Sequence, residues 1–529
     1  MKKLLSFFLA AVLMLSMTAC SGGVDKTNAG KGSTKKPVTT SKSGKDSGKS
    51  NESALSGKKP ELKILTGYEA YNFNEQPANK LEEEMTGYKV KWFNLPQENA
   101  DKKLILDISG GESYDLIMRI GASSANQLFE KNALQDLKPL LDKYGKNILA
   151  GVSDMALQSV TTEDGVIYGI PHEAFDGPQP GGDPYGILKG GIGFNMKYMK
   201  ELGKEVPANL NDFYNVLKAY TDKTGKPALT TMASAWLNYV MAGFGMGDAG
   251  WYEVDGEYLP RIKNPAVVDY LAYMQKLYKE GLLDNDMPIN TIDTAKEKFT
   301  NGTALAYPVM FWAIDGIYEA FKATGSDAKV QVATFLAKDA NTKPVVYLRQ
   351  GISALSCIPK TAKNPEHAIN WFNIISDKEN FKKIYIGEEG KSYEIKDGSY
   401  YPIFPAFNDF TNSDKFTGVL QTDVAFKMWQ ARARKTDAMA EMYDQMNSRV
   451  GDYEVKNYYE SYASSLPEVR DNDAALGTMV NDKLIQAIAD GGDPKKAIDN
   501  IIAEWDKTGG KEYEAAMKKW HDENKDTMK

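Results

Sequence analysis

The chain has 529 residues, with 64 Lys+Arg against 71 Asp+Glu, two Cys and three His. So few Cys and His exclude a disulfide-built scaffold, a thiolate cluster and a His-rich metal centre, and the acidic balance excludes a nucleic-acid-binding body. The length predicts two to four domains at roughly 100–200 residues each. The charge is split along the chain: residues 21–59 hold nine Lys and three Asp/Glu, whereas 60–529 carry a net charge of −15.

Lys2 and Lys3 precede an apolar run, Leu4 to Met17, and Thr18-Ala19-Cys20 follow. A charged start, a short apolar stretch and small residues form the pattern of a secretory signal. The run of 14 residues is too short for a lasting membrane-spanning helix. Cysteine directly after the small residues resembles the lipobox of bacterial lipoproteins, although Met17 stands where Leu is commonest. The resemblance implies a signal peptide over 1–19 and a thioether-linked diacylglycerol on Cys20, whose two acyl chains would anchor it stably. Residues 21–59 are rich in Ser, Gly and Lys and hold no aromatic residue. Such a stretch cannot bury enough surface to offset its chain entropy, so 20–59 is expected to be a disordered tether.

The body then alternates. Leu62 to Leu65 reads as a strand, Gln76 to Met85 as a helix stopped by Gly87, Tyr88 to Phe93 as a strand, Gln97 to Ile108 as a helix, and Tyr114 to Ile120 as a strand. This β-α-β-α-β order predicts a parallel sheet with crossover helices. Ligands sit at the carboxyl ends of such strands, here Thr66-Gly67-Tyr68 and Arg119-Ile120-Gly121. A second α/β region starts near Gly169. Helices are expected at Asn209–Thr221, Pro265–Glu280 and Pro365–Ser376, and strands at Ala304–Val309, Val330–Leu336, Val345–Leu348 and 352–358. Beyond about 412 the pattern is mostly helical.

Several segments resemble extracellular solute-binding proteins of ABC importers. Asp164-Gly-Val-Ile-Tyr-Gly-Ile-Pro171 is similar to their "DGKIYGIP" segment. Gly193 to Lys197, Pro207 to Leu217, Asn301 to Ala306, and Ile358-Pro359-Lys360 with Asn364-Pro365-Glu366 follow in the family's order. Gly387 to Glu394, and Ala503 to Asn524 with Gly509-Gly510, resemble the large Lpl-type lipoproteins of that family, a group linked to oligosaccharide uptake. The resemblance implies an α/β, two-lobe periplasmic-binding-protein-like fold of type II, with the architecture of maltose-binding protein and a helical C-terminal extension. It implies lobe 1 at 60–171 plus about 352–405, and lobe 2 with the extension at 172–351 plus about 406–529. It also implies a monomer that binds an oligosaccharide and ABC permease subunits, lipid-anchored at the extracellular face of a Gram-positive membrane, with no cofactor, no nucleic acid and no catalysis.

A sugar offers an apolar face and a hydroxyl rim, so its site needs aromatic rings beside carboxylates and Arg forks. Trp312 follows a strand at its carboxyl end, where the resembled sugar binders place a stacking Trp. Tyr68 follows the first strand. Glu173 resembles the Glu of the family's "VEA" segment at the first lobe crossing, with His172 in place of the Val. Trp236 lies in a stretch like the family's aromatic ligand helix, and Trp251 follows a Gly-rich loop. Arg349 precedes Gln350-Gly351 at the second crossing and reads equally as hinge ion pair or ligand fork. The alternative for each aromatic is a place in the core. His172 alone reads as structural, and Cys357 as a buried free thiol. Two rival classes stay open. One is a surface glycoside hydrolase, whose paired carboxylates leave no fixed motif; the other is a peptide-binding lipoprotein on the same fold.

Overall fold

The computed structural model describes residue 55, residues 57–175, residues 188–526 and residue 528. The signal peptide, Cys20 and the tether up to residue 54 lie outside the described residues. The last tether position is docked rather than loose: Lys59 Nζ donates to the Thr86 carbonyl at 2.6 Å and stands 4.8 Å from the Tyr88 ring centre.

In chain order the described strands are β1 (Leu62–Thr66), β2 (Val90–Asn94), β3 (Leu116–Ile120), β4 (Ile170–Phe175), β5 (Gly190–Asn195), β6 (Trp251–Val254), β7 (Glu257–Pro260), β8 (Ala306–Met310), β9 (Val330–Ala333), β10 (Val345–Cys357), β11 (Tyr393–Lys396), β12 (Ser399–Pro402) and β13 (Glu454–Tyr458). β1 lies between β2 and β3, and all three are parallel. The crossover helices are Pro77–Thr86 and Ala100–Ser109, as the alternation predicts. Gly87 ends the first of them at φ 70°, a left-handed position that a side chain would strain. β10 joins the other side of β3 antiparallel, with β4 and β13 beyond it. The first lobe packs its core on this sheet through Ile64, Trp92, Leu116 and Met118, against Trp371 and Phe372 of the helix Pro365–Ile375. That core also takes in Phe416 and Val419, beyond residue 405.

The second lobe centres on β5, with β8 and β9 antiparallel on either side. Leu229 makes parallel bridges to Leu283 and Ala306, so the lobe repeats the first lobe's arrangement of three parallel segments beside an antiparallel one. Gly193 is required by close approach: a Cβ there would stand 2.7 Å from Val309 Cγ1 and 2.9 Å from Val330 Cγ1. The C-terminal helices Pro467–Asp490, Pro494–Lys507 and Gly510–Asn524 share the core of this lobe through Leu476, Ile501, Trp505 and Met517. Lys263 ties them down, pairing with Asp506 at 2.9 Å and Glu514 at 2.5 Å. No helix among the described residues is long and apolar enough to cross a membrane.

Three features differ from the sequence reading. The stretches expected as two strands, 345–348 and 352–358, join in one strand, β10 (Val345–Cys357), because the crossing itself is extended; Gly351 passes through it at φ 145° with Ser461 Oγ where a side chain would stand. Two hairpins, β6–β7 and β11–β12, occupy stretches to which the sequence pattern assigns no strand. β13 interrupts the helical C-terminal region by pairing with β10.

Candidate functional site

A cavity of about 430 Å³ lies where the two lobes, the crossing strands and the C-terminal helices converge. The first lobe contributes Ser123 and Asn126 from the helix Ala122–Glu130, which starts directly after β3. The crossings contribute Arg349 and Ile352 of β10, with Tyr458 of β13 paired opposite Arg349. The second lobe contributes Trp236, Asp248, Trp251 and Arg261, and the C-terminal helices contribute Arg470, Asp473, Trp505 and Tyr513.

The second-lobe wall is clamped from two sides. Glu460, just after β13, accepts from the Gly250 backbone N–H at 2.6 Å and from the Trp251 N–H at 3.2 Å. Arg261 donates through Nε to the Ala249 carbonyl at 2.8 Å and through Nη2 to the Asp248 carbonyl at 2.7 Å. Its guanidinium stands 4.9 Å from the Trp236 ring centre. Trp251, buried, stacks on Tyr258 at 5.5 Å and meets the edge of Tyr513 at 5.1 Å. Tyr258 stacks in turn on His521 of the last helix at 4.0 Å. The C-terminal helices therefore fix the ring that faces the cavity.

Burial pushes the Glu460 carboxyl up to about 7, against the opposing pull of two backbone N–H groups and Arg261. A carboxyl raised in the folded state contributes stability that is fully present below the usual glutamate range and is lost as pH rises through about 7. Melting temperatures from pH 4 to pH 8 check this. Glu460→Gln is expected to remove part of the decline that the wild type shows over that interval, and parallel pH profiles would overturn the assignment.

Of the residues singled out in the sequence, Trp236, Trp251 and Arg349 come together at this cavity. The other three lie elsewhere. Glu173 is buried on β4, where it accepts from Ser153 N at 2.9 Å, Ser153 Oγ at 2.6 Å and the Tyr462 hydroxyl at 2.9 Å. It joins the first crossing to the segment after β13. Tyr68 and Trp312 follow β1 and β8 at their carboxyl ends and are 45% and 49% exposed. Phe311, beside Trp312, is buried and meets its ring edge-on at 5.1 Å. His172 is buried, 2.7 Å from Ser356 Oγ, and burial holds its imidazole well below the usual range. Cys357 is a buried free thiol. Sequence reasoning missed Asp248, Arg261, Glu460 and Asp473. Arg261 directly follows β7, so recognising the Asp255-Gly256 hairpin turn would have pointed to it. No local signal marks Glu460.

A family model described as bacterial extracellular solute-binding protein matches residues 76–393. Lipoprotein LipO of Bacillus subtilis (strain 168) is 21% identical over 496 residues, covering 89% of this chain and 94% of LipO. The polygalacturonan/rhamnogalacturonan-binding protein YtcQ of the same organism is 22% identical, covering 88% of this chain and 94% of YtcQ. Among solved structures, the Streptococcus pneumoniae ABC-transporter substrate-binding protein FusA in complex with kestose superposes with a TM-score of 0.64 at 19% identity, covering 88% of this chain and 100% of that one. The fold is thus the two-lobed, type II periplasmic-binding-protein-like fold. With more than half of its length matched by the family model, the chain belongs to the bacterial extracellular solute-binding proteins.

Proposed function

We propose that this protein is the substrate-binding component of an ABC importer and captures an oligosaccharide between its lobes. The observation that carries this reading is the lining of the cavity. Trp236 and Tyr458 keep partly open rings suited to sugar faces, beside the buried rings of Trp251 and Tyr513, and Asp248, Arg349 and Asp473 offer polar groups suited to hydroxyls. Tyr68 and Trp312 extend the surface along the strand ends of the two lobes. Glu173 acts on the crossing rather than on the sugar. The relatives agree with a carbohydrate ligand: one is a polygalacturonan/rhamnogalacturonan-binding protein by name, and another is solved in complex with kestose.

The mechanism follows from the connections. The lobes are joined by extended segments that include β10, and a ligand touching both lobes binds the closed arrangement better than the open one. It shifts the equilibrium by that difference in affinity. The closed monomer then docks on the permease. The chain captures and does not cleave.

Calorimetric titration with kestose, maltotriose, cellotriose and trigalacturonate, followed by chromatography of the recovered sugars, tests the reading. Saturable binding with intact sugar is expected. Shortened products would make the protein a glycoside hydrolase. Peptide binding without sugar binding would replace the ligand class.

The lipobox-like run ending at Cys20 supports the location in this reading: Cys20 carries the lipid and holds the body at the extracellular face of the membrane. Cys20→Ser is expected to move the protein from the membrane fraction to the medium, or to leave it unprocessed. Unchanged membrane retention would defeat the anchor.

A further inference from the structure

The helix Pro467–Asp490 lies outside the residues matched by the family model, yet one of its faces lines the cavity. The lining positions are Val469, Arg470, Asp473, Ala474, Gly477 and Val480, which recur at the spacing of one helical face. Val469 and Val480 are buried, whereas Asp473, Ala474 and Gly477 between them keep open surface. A Cβ added at Gly477 would meet nothing within 4 Å. Glycine in the middle of a helix lowers its stability relative to alanine, and no packing contact here requires it. The middle of the face is therefore a shallow floor rather than a packing seam.

Asp473 stands beside that floor. One carboxylate oxygen accepts from the Tyr513 hydroxyl at 2.9 Å, and its other oxygen takes no hydrogen bond among the described residues. The residue keeps open surface, yet enough protein surrounds its carboxyl for burial to push it up from the usual range. Both hold at once only in a concave wall. Arg470, three residues before Asp473 on the same face, is already engaged with Glu130 at 2.7 Å and with the Ser465 carbonyl at 3.0 Å. Arg261 is engaged with backbone carbonyls. Asp473 thus offers an oriented acceptor, with Tyr513 fixing its direction.

Resting on the reading of the cavity as a sugar site, we infer that this C-terminal helix is a ligand-contacting wall and that Asp473 is a specificity-determining acceptor for a hydroxyl of the sugar lying over Ala474 and Gly477. A carboxylate accepting from a hydroxyl makes a charge-assisted bond, and its loss weakens binding without touching the fold.

The test uses the secreted chain, with kestose, maltotriose, cellotriose and trigalacturonate as probes. For the sugar that the wild type binds most tightly, Asp473→Asn is expected to raise the dissociation constant roughly 10- to 100-fold, with an unchanged melting temperature. Asn keeps an acceptor for Tyr513, so a purely structural role predicts little change in either. Gly477→Leu fills the floor and improves helix propensity, so it is expected to abolish binding while the melting temperature holds or rises. Wild-type affinity in both variants overturns the inference and leaves the functional reading standing. A wild-type chain that binds none of the four sugars brings down that reading, and the inference with it.

Discussion

Trp312→Ala is expected to weaken sugar binding by about 2–4 kcal/mol, the range for truncating an aromatic that becomes buried on association. That is roughly 30- to 1,000-fold in dissociation constant at about 1.4 kcal/mol per factor of ten. The same substitution is expected to leave folding stability nearly intact. Trp312 is 49% exposed, and the packing at this position is carried by Phe311, which is 2% exposed and sits against Trp429 and Tyr443. A buried tryptophan would behave differently: truncation in a core costs about 3–5 kcal/mol of stability. Calorimetric titration and thermal melting of one variant separate the two. Unchanged affinity would confine the ligand to the cavity at the crossings and remove Trp312 from the site.

The second large effect lies away from the cavity. Arg432 is only 2% exposed, and its guanidinium serves five acceptors. Nη1 donates to the carbonyls of Tyr385 and Phe410 at 2.8 Å and to Ser413 Oγ at 3.0 Å. Nη2 donates to the Thr411 carbonyl at 3.1 Å and to Asp414 at 2.5 Å. Burial alone would raise the Asp414 carboxyl; Arg432, Lys415, Lys435 and Arg119 outweigh it and hold the group well below the usual carboxylate range. Removing the buried Arg432 takes the donor from five acceptors, among them the half-buried Asp414 carboxylate, at about 3–5 kcal/mol, the range for breaking a buried pair. Arg432→Met, which keeps the volume and removes the charge, is expected to cost that much in denaturant unfolding. Adding Asp414→Asn is expected to recover part of it. A single variant within about 0.5 kcal/mol of wild type would show that water or neighbouring lysines satisfy Asp414.

The parallel core of the first lobe was legible because its signals are local. β1, β2 and β3 carry apolar runs, and Gly87 and Gly110 punctuate the helices between them. The hairpins carry a local signal as well. Asp255-Gly256 and Asp397-Gly398 each place two successive residues at positive φ, the strongest short-range hairpin signal a sequence offers. β13 was not legible: Glu454-Val-Lys-Asn-Tyr458 has one aliphatic residue and becomes a strand because β10 supplies its partner. The candidate site divides the same way. Trp236, Trp251 and Arg349 stood out as residue types suited to sugars. Glu460 and Asp473 are ordinary acidic residues in an acidic chain, and only the assembled cavity distinguishes them from solvated surface.

The unbroken strand β10 also bears on how the molecule is made. The backbone of Arg119, at the end of β3, meets Ser356 of β10 across a sequence separation of 237 residues. The first lobe's sheet therefore stays open along one edge until the strands β5 to β9 of the second lobe have been delivered. Contacts that distant slow folding, because the long intervening loop must close before any of them forms. One stretch of residues thus joins the lobes and sets the moment at which the first of them can become complete.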